Sequence, residues 1–212
     1  MDDALRQLND RLDLATQRLL DGSRVLPEPD LRAPSLLPEW SRADVLAHLA
    51  RGADAMRALL AGARAGQQRR VSTGTEEREA AAAQAPKELT ADLAAAAMAL
   101  RTVIRQLPDQ AWSFRLEIPA AEPFPASELV IRRLVEVELR HCDLGIGYDA
   151  ARWPAGFAGM PLPEPMHSQR QDRMSYPPQS YRPAPARAAA APAPAQQRAM
   201  ILRSLSGGPR MS

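Results

Sequence analysis

The sequence contains a single cysteine, Cys142, and few aromatic residues, which make up 4% of its 212 residues. One cysteine cannot form an intramolecular disulfide or a multi-cysteine zinc site, so folds stabilised in either way are excluded. No run of eighteen apolar residues occurs, and the N-terminus does not resemble a signal peptide. We therefore expect a cytoplasmic protein without a membrane partner.

Lysine is nearly absent, because Lys87 is the only lysine among 27 basic residues. The net charge of +2 is unevenly distributed along the chain, since residues 159–212 carry seven arginines against only Glu164 and Asp172. The preceding residues are net negative. They therefore offer no extended basic surface of the kind that nucleic acids require, and no nucleic-acid partner is expected.

Apolar residues make up 45% of the sequence and are mostly Leu, Ala and Val, a composition that favours helices. Ser41 followed by Asp44 predicts a capping box at the start of one helix, and Ser127 predicts the cap of another. The intervening residues 66–79 and 112–124 are predicted as loops, the second with a short extended segment. Apolar residues recur at three- and four-residue steps in four segments, 2–21, 41–63, 86–107 and 127–144.

Four helices joined by mostly short connections are typical of an antiparallel bundle. We therefore predict an all-α fold in which residues 1–158 form an antiparallel four-helix bundle. Residues 159–212 change character, because they are rich in Pro, Ala and Arg and show little apolar periodicity. This composition predicts a disordered C-terminal tail with one weak helical turn near Met200–Leu205.

Two of the predicted helices carry residues that could bind a metal. His48 shares a face with the apolar residues of the second helix, while the fourth helix carries Glu136, Glu138 and His141. Two histidines and a carboxylate form the ligand set of catalytic zinc and of several other divalent ions. The same spacing also fits a buried histidine and a solvated surface with a Glu136–Arg140 ion pair, so the residues alone leave both interpretations open.

The segments that carry these residues resemble a known family. The first reads Leu-Pro-Glu-Trp-Ser-Arg-Ala-Asp-Val-Leu-Ala-His-Leu-Ala at 37–50, and the second reads Arg-Leu-Val-Glu-Val-Glu-Leu-Arg-His-Cys-Asp-Leu-Gly-Ile-Gly-Tyr at 133–148. Together they are similar to the N-terminal metal-binding domain of mycothiol-dependent maleylpyruvate isomerases, which are relatives of the DinB-like four-helix bundles. The resemblance covers roughly residues 1–158 and implies a DinB-like bundle.

The resemblance also implies a metal site, from which this sequence departs. The family holds its metal with the His of the first segment and with a Glu and a His four residues apart in the second, which fall on His48, Glu136 and position 140. Position 140 is Arg, which cannot ligate a metal because its guanidinium stays protonated. We therefore expect His48, Glu136 and His141 as the ligands, with Glu138 as the alternative carboxylate, or else a weakened or lost metal site.

By resemblance, the function would be that of a mycothiol-dependent isomerase or thiol transferase. A divalent metal, with zinc expected, would activate the thiol of mycothiol, and the thiolate would add to an electrophilic substrate. The alternative is a catalytically inactive bundle, a truncated family member that serves as a binding or structural module. The missing ligand at Arg140 supports this alternative.

The family has a smaller C-terminal α+β domain, and nothing in residues 160–212 resembles it. The predicted tail thus stands in place of that domain. We hypothesise that the reading frame of the gene shifted near residue 158. Resequencing the locus and translating the other frames would test this, and the hypothesis fails when no frame encodes a family-like C-terminus.

Overall fold

Four long helices form the body of the protein, as described by a computed structural model over residues 2–69, 86–118, 122–179 and 181. Each of them packs against two of the others: the second contacts the third and the fourth, and the first completes the ring between the third and the fourth. Their apolar faces meet in one continuous core. The predicted all-α four-helix bundle is therefore confirmed. The helices are α1 at Asp3–Arg24, α3 at Arg42–Ala65, α4 at Pro86–Gln106 and α5 at Glu128–Asp143, with a short α2 at Glu28–Arg32.

Local sequence signals fix the ends of α3. The Ser41 side chain accepts a hydrogen bond from the backbone N–H of Asp44, and the Asp44 carboxylate accepts one from the backbone N–H of Ser41. This reciprocal capping box was predicted from the sequence. At the other end Gly66 adopts the left-handed conformation with φ 65°, which glycine adopts without strain. At α5 the predicted cap differs, because Ser127 precedes the helix but its side chain makes no capping hydrogen bond.

The connection between α4 and α5 is more ordered than the predicted crossing loop. It begins with a 3-10 helix at Asp109–Ser113 and continues into a two-stranded antiparallel ladder. The strands are β1 at Arg115–Leu116 and β2 at Phe124–Pro125. Leu116 and Phe124 are buried, and the strands contact α3 and α5. The hairpin therefore closes one end of the core.

The segment after α5 departs from the predicted tail. Following a 3-10 helix at Ala150–Arg152, it forms α6 at Ala155–Ala158 and α7 at Met166–Met174, and α7 packs against α5. Met160, Leu162 and Met166 are buried in the core. Residues 159–179 therefore belong to the folded unit and correct the boundary predicted at residue 158.

Apart from residue 181, the rest of the predicted tail is outside the described residues, and so is the weak helical turn expected near Met200–Leu205. Among the helices that are described, none combines the length and the apolar character needed to cross a membrane.

Candidate functional site

The structure brings His48 and Glu136 together where α3 faces α5. His48 Nε2 lies 3.1 Å from Glu136 Oε1, and the two side chains are 35% and 28% exposed. The edge of the Trp40 ring packs against the imidazole, with 5.4 Å between ring centroids. Two of the three predicted site residues therefore form one half-buried pair that small molecules can reach.

A buried arginine holds the carboxylate of this pair. Arg133 Nη1 donates to Glu136 Oε2 at 2.8 Å, and Arg133 Nη2 donates to the backbone carbonyl of Leu49 at 2.7 Å. The Arg133 side chain is only 4% exposed. Glu136 is thus bound on one oxygen by Arg133 and on the other by His48.

The arginine fits between the helices because residue 52 is glycine. A Cβ atom at Gly52 would lie 2.8 Å from Arg133 Nη1 and 3.1 Å from Glu136 Oε1, closer than ordinary contacts allow. Sequence reasoning missed this role of Gly52 and Arg133. A glycine inside a helix lowers stability by about 1 kcal/mol relative to alanine. A glycine within a predicted helix was therefore the one sequence feature indicating that a side chain is not tolerated at this position.

The environment keeps Glu136 ionised. Burial is the largest influence on its pKa and acts to raise it, but Arg133 and the hydrogen bond from His48 together outweigh burial and lower the pKa to about 2. The carboxylate is therefore charged at any physiological pH. It can orient the His48 imidazole by accepting its Nε2–H.

Position 140 also reaches this site, one helical turn after Glu136. The Arg140 guanidinium lies 6.0 Å from the centroid of the Trp40 ring, the same ring that packs on His48. Its Nη1 donates to Asp143 Oδ2 at 2.8 Å, while its Nε is buried without a hydrogen-bond partner among the described residues. A cation thus lies where the resemblance would place the third metal ligand.

His141, the third predicted ligand, lies elsewhere. Its ring stacks on Tyr148 at 3.9 Å between centroids and packs beside Gly22 of α1. Glu138 faces the same way, accepting hydrogen bonds from Arg18 at 2.5 Å and from Tyr148 at 2.6 Å. The expectation that His141 joins His48 and Glu136 is therefore not met, and Glu138 does not replace Glu136.

The physical reason is helix geometry. Successive residues turn by about 100°, so His141 and Arg140 cannot face the same neighbouring helix. The buried imidazole is 4% exposed, and burial, aided by the positive charge of Arg18, lowers its pKa to about 3. Within the described part of the chain, no group of three or more His, Cys, Asp and Glu side chains is arranged to hold a metal ion.

A cavity of about 380 Å³ opens beside the His48–Glu136 pair, between α3, α5 and α7. Its polar lining includes Glu136 and four arginines, at positions 132, 133, 140 and 173. Its apolar lining includes Met56, Leu59, Ile118, Leu139 and Met166. The volume falls in the range of small-molecule sites, and the lining suits a ligand with an apolar body and a negative charge.

Comparisons with known proteins agree with the observed fold. The chain superimposes on the crystal structure of the mycothiol-dependent maleylpyruvate isomerase with a TM-score of 0.67 and 25% identity, covering 71% of this chain and 64% of that chain. A crystal structure of a His-to-Ala mutant of mycothiol-dependent maleylpyruvate isomerase matches with a TM-score of 0.66 and 23% identity, over the same shares of the two chains. Comparison with curated protein sequences gave no significant match.

The chain thus spans less than two thirds of the length of these matched structures. Residues 12–145 match the family described as the mycothiol maleylpyruvate isomerase N-terminal domain, which is more than half of the chain and includes both His48 and Glu136. The chain therefore belongs to the mycothiol maleylpyruvate isomerase N-terminal domain family.

Proposed function

We propose that this protein is a mycothiol-dependent isomerase or thiol transferase that works on small electrophilic molecules, with the His48–Glu136 pair as its reaction centre. The observation that carries the proposal is the 3.1 Å contact between His48 Nε2 and Glu136 Oε1, beside a ligand-sized cavity. Family membership supplies the class of thiol and substrate. The cytoplasmic location and the lack of a nucleic-acid partner stay predictions from the sequence.

The residues present do not fit the metal centre that the family implies. A catalytic zinc site uses three protein ligands and keeps one position open. His48 and Glu136 supply two donors, Arg140 supplies none, and Arg133 already binds one oxygen of Glu136. We therefore derive no step through a metal, and the divalent ion expected from the sequence is left to direct measurement.

The His48–Glu136 pair can activate a thiol without a metal. Glu136 stays ionised and accepts the Nε2–H of His48, which leaves Nδ1 as the basic nitrogen. In this proposal Nδ1 takes the proton of the thiol as a general base, and the resulting thiolate is the nucleophile.

The thiolate then adds to the carbon–carbon double bond of the electrophile, and the displaced electron pair moves onto the conjugated carbonyl oxygen. Rotation about the former double bond, now a carbon–carbon single bond, is followed by return of the electron pair from the oxygen and loss of the thiolate, which gives the isomer without net oxidation. The released thiolate takes its proton back from His48. In a transfer reaction the adduct instead takes the proton back from His48 and keeps its new carbon–sulfur bond. Both outcomes leave the imidazole neutral at the end of the cycle.

The test uses the full chain, mycothiol and maleylpyruvate, with isomerisation followed by absorbance. We expect thiol-dependent turnover that falls by 100-fold or more in His48→Gln, because positioned acid–base groups contribute about 10²–10⁴-fold. His167→Gln is the matched control, since His167 lies on α7 and is not the histidine that pairs with Glu136. Equal turnover in wild type and His48→Gln would refute the assignment of His48.

The second candidate function is a binding module without turnover. It is favoured by Arg140, which replaces a metal ligand with a cation, and by Arg133, which binds the carboxylate of Glu136. Mycothiol binding without turnover, with or without added zinc, would support this candidate.

Metal analysis of protein purified without chelator separates the metal-free mechanism from a metalloenzyme. We expect no stoichiometric metal. About one equivalent that disappears in His48→Gln would contradict the metal-free mechanism and restore the metalloenzyme expected from the sequence.

A further inference from the structure

We infer that Arg140 and Arg173 form a carboxylate-binding site in the cavity between α3, α5 and α7, and that this site holds the acid group of the substrate. This inference deepens the proposed function, because the acid would be the electrophile. It concerns two residues that the family match does not assign: Arg140 stands at a ligand position, and Arg173 belongs to the segment after the matched residues.

The charge balance of the cavity points to an anion. Both guanidiniums converge on Asp143, since Arg140 Nη1 lies 2.8 Å and Arg173 Nη2 lies 3.0 Å from Asp143 Oδ2. The Asp143 side chain is completely buried, and its Oδ1 also accepts from the Tyr176 hydroxyl at 3.2 Å. Among the described residues only Asp143 pairs directly with these two guanidiniums, while the exposed carboxylate of Asp172 acts on Arg173 at longer range, so Arg140 shares its one carboxylate with a second cation.

The other two arginines of the cavity are balanced one to one. Arg132 pairs with Glu128 at 2.6 Å, and Arg133 pairs with Glu136 at 2.8 Å. The two cations that share a single directly bonded carboxylate are therefore Arg140 and Arg173. A bound carboxylate would complete the pairing there.

Arg140 also has hydrogen-bonding capacity left for a ligand. Its Nη1 is the atom bound to Asp143, and within the described residues its Nη2 donates to no protein acceptor. A guanidinium binds carboxylates through two parallel N–H donors, which makes arginine suited to this role. Arg173 instead directs both Nε and Nη2 at Asp143, so it supplies mainly charge.

The position of Arg140 relates the anion to the reaction centre. It lies four residues after Glu136 on α5, a rise of about 6 Å along the helix. A carboxylate held at Arg140 would bring the carbons next to it near the His48–Glu136 pair, while Leu139 and Met166 offer apolar surface to the rest of the ligand. An acid with a double bond next to its carboxylate fits this arrangement.

The test is calorimetric titration of the full chain with trans-cinnamate, and with neutral cinnamamide as the matched probe, in the absence of thiol. We expect cinnamate to bind at least tenfold more tightly than cinnamamide. Arg140→Gln should weaken cinnamate binding at least tenfold, because a charge-assisted bidentate contact is lost. Arg140→Lys keeps the charge, so its affinity for cinnamate should lie between those of wild type and Arg140→Gln.

Arg57→Gln is the control variant, since Arg57 is exposed and pairs with Asp54 on the outer face of α3. It should bind cinnamate as wild type does. Equal affinity for cinnamate and cinnamamide, no cinnamate binding at millimolar concentration, or unchanged binding in a folded Arg140→Gln would each overturn the inference. If Arg140→Gln loses its helical circular dichroism, the same titration is made with Arg173→Gln. We expect Arg173→Gln to bind cinnamate at least threefold more weakly than wild type, and unchanged binding would overturn the inference.

This test can fail independently of the proposed function. Cinnamate binding should persist in His48→Gln, in which thiol-dependent turnover is expected to be lost. Binding without turnover in the wild type would leave the carboxylate site in place and remove the enzymatic proposal. Turnover without selective binding of the acid would support the enzymatic proposal and overturn the carboxylate-binding site.

Discussion

Lowering the pH from 7 to 5 should destabilise this protein by about 2 kcal/mol, because His141 is buried as a neutral imidazole. Its ring stacks on Tyr148, and its Nδ1 has no hydrogen-bond partner. Burial, together with the positive charge of Arg18, lowers its pKa to about 3 in the folded state. The charged groups that face it from α1 and α5 are Arg18 and Glu138, which pair with each other.

The sign of the effect follows from proton binding. An unfolded chain protonates this histidine below its ordinary pKa of 6.5, whereas the folded chain does so only near pH 3. The unfolded state therefore binds more protons between these values, so the free energy of unfolding falls as the pH is lowered through this window. Each pH unit below 6.5 costs about 1.4 kcal/mol, which gives about 2 kcal/mol by pH 5.

Glu136 contributes little in the same pH range, and Asp13, whose pKa is raised by burial, acts in the opposite direction. The pKa of Glu136 is lowered to about 2 from an ordinary 4.5, so the stability it contributes is present above pH 4.5 and is lost as the pH falls toward 2. Urea unfolding in half-unit steps from pH 7 to 5, followed by helical circular dichroism, therefore isolates the histidines. We expect His141→Leu to remove most of the pH dependence and His167→Gln to retain it. A wild type as stable at pH 5 as at pH 7, or an unchanged slope in His141→Leu, would refute the reasoning.

Three further predictions follow. Gly52→Ala should lower the melting temperature although alanine favours helices, because its Cβ would meet Arg133 Nη1 at 2.8 Å; a higher melting temperature would contradict this. Cys142 should resist a thiol reagent in the folded protein and react after urea is added, because burial above all raises the pKa of its thiol to about 12. Rapid labelling of the native protein would contradict the burial of this thiol. Arg140→His should raise zinc affinity at least tenfold over wild type by adding a third donor beside His48, measured by competition with a chelating dye, and unchanged affinity would show that position 140 does not reach the pair.

The helices were predictable because their signals are local. The capping box at Ser41 and Asp44 lies within four residues, and the apolar stripe that follows it repeats every turn. Such signals depend on the backbone of one helix and not on what packs against it. The starts and ends of the long helices therefore agree with the sequence to within a few residues.

The segment after residue 158 was not predictable in the same way. Met160, Leu162 and Met166 are buried, but they are spaced irregularly among prolines and so match neither a helical nor a strand period. Arg170 adds a long-range contact, since its Nη1 donates to the carbonyls of Phe157 and Met160. These residues are held by packing against the bundle, and such packing does not require a repeating pattern of apolar residues in the sequence.

Apolar periodicity could not predict which side chains of the site meet. The apolar stripe of α5 correctly indicates that His141 points inward, but a bundle helix has two inward neighbours and periodicity does not say which one a residue meets. His141 faces α1, whereas Glu136 and Arg140 lie on the side that faces α3 and His48. One residue along the helix is a turn of about 100°, so a histidine at 141 cannot compensate for an arginine at 140. Metal ligation and carboxylate binding are thus competing uses of position 140, and the guanidinium there favours the carboxylate.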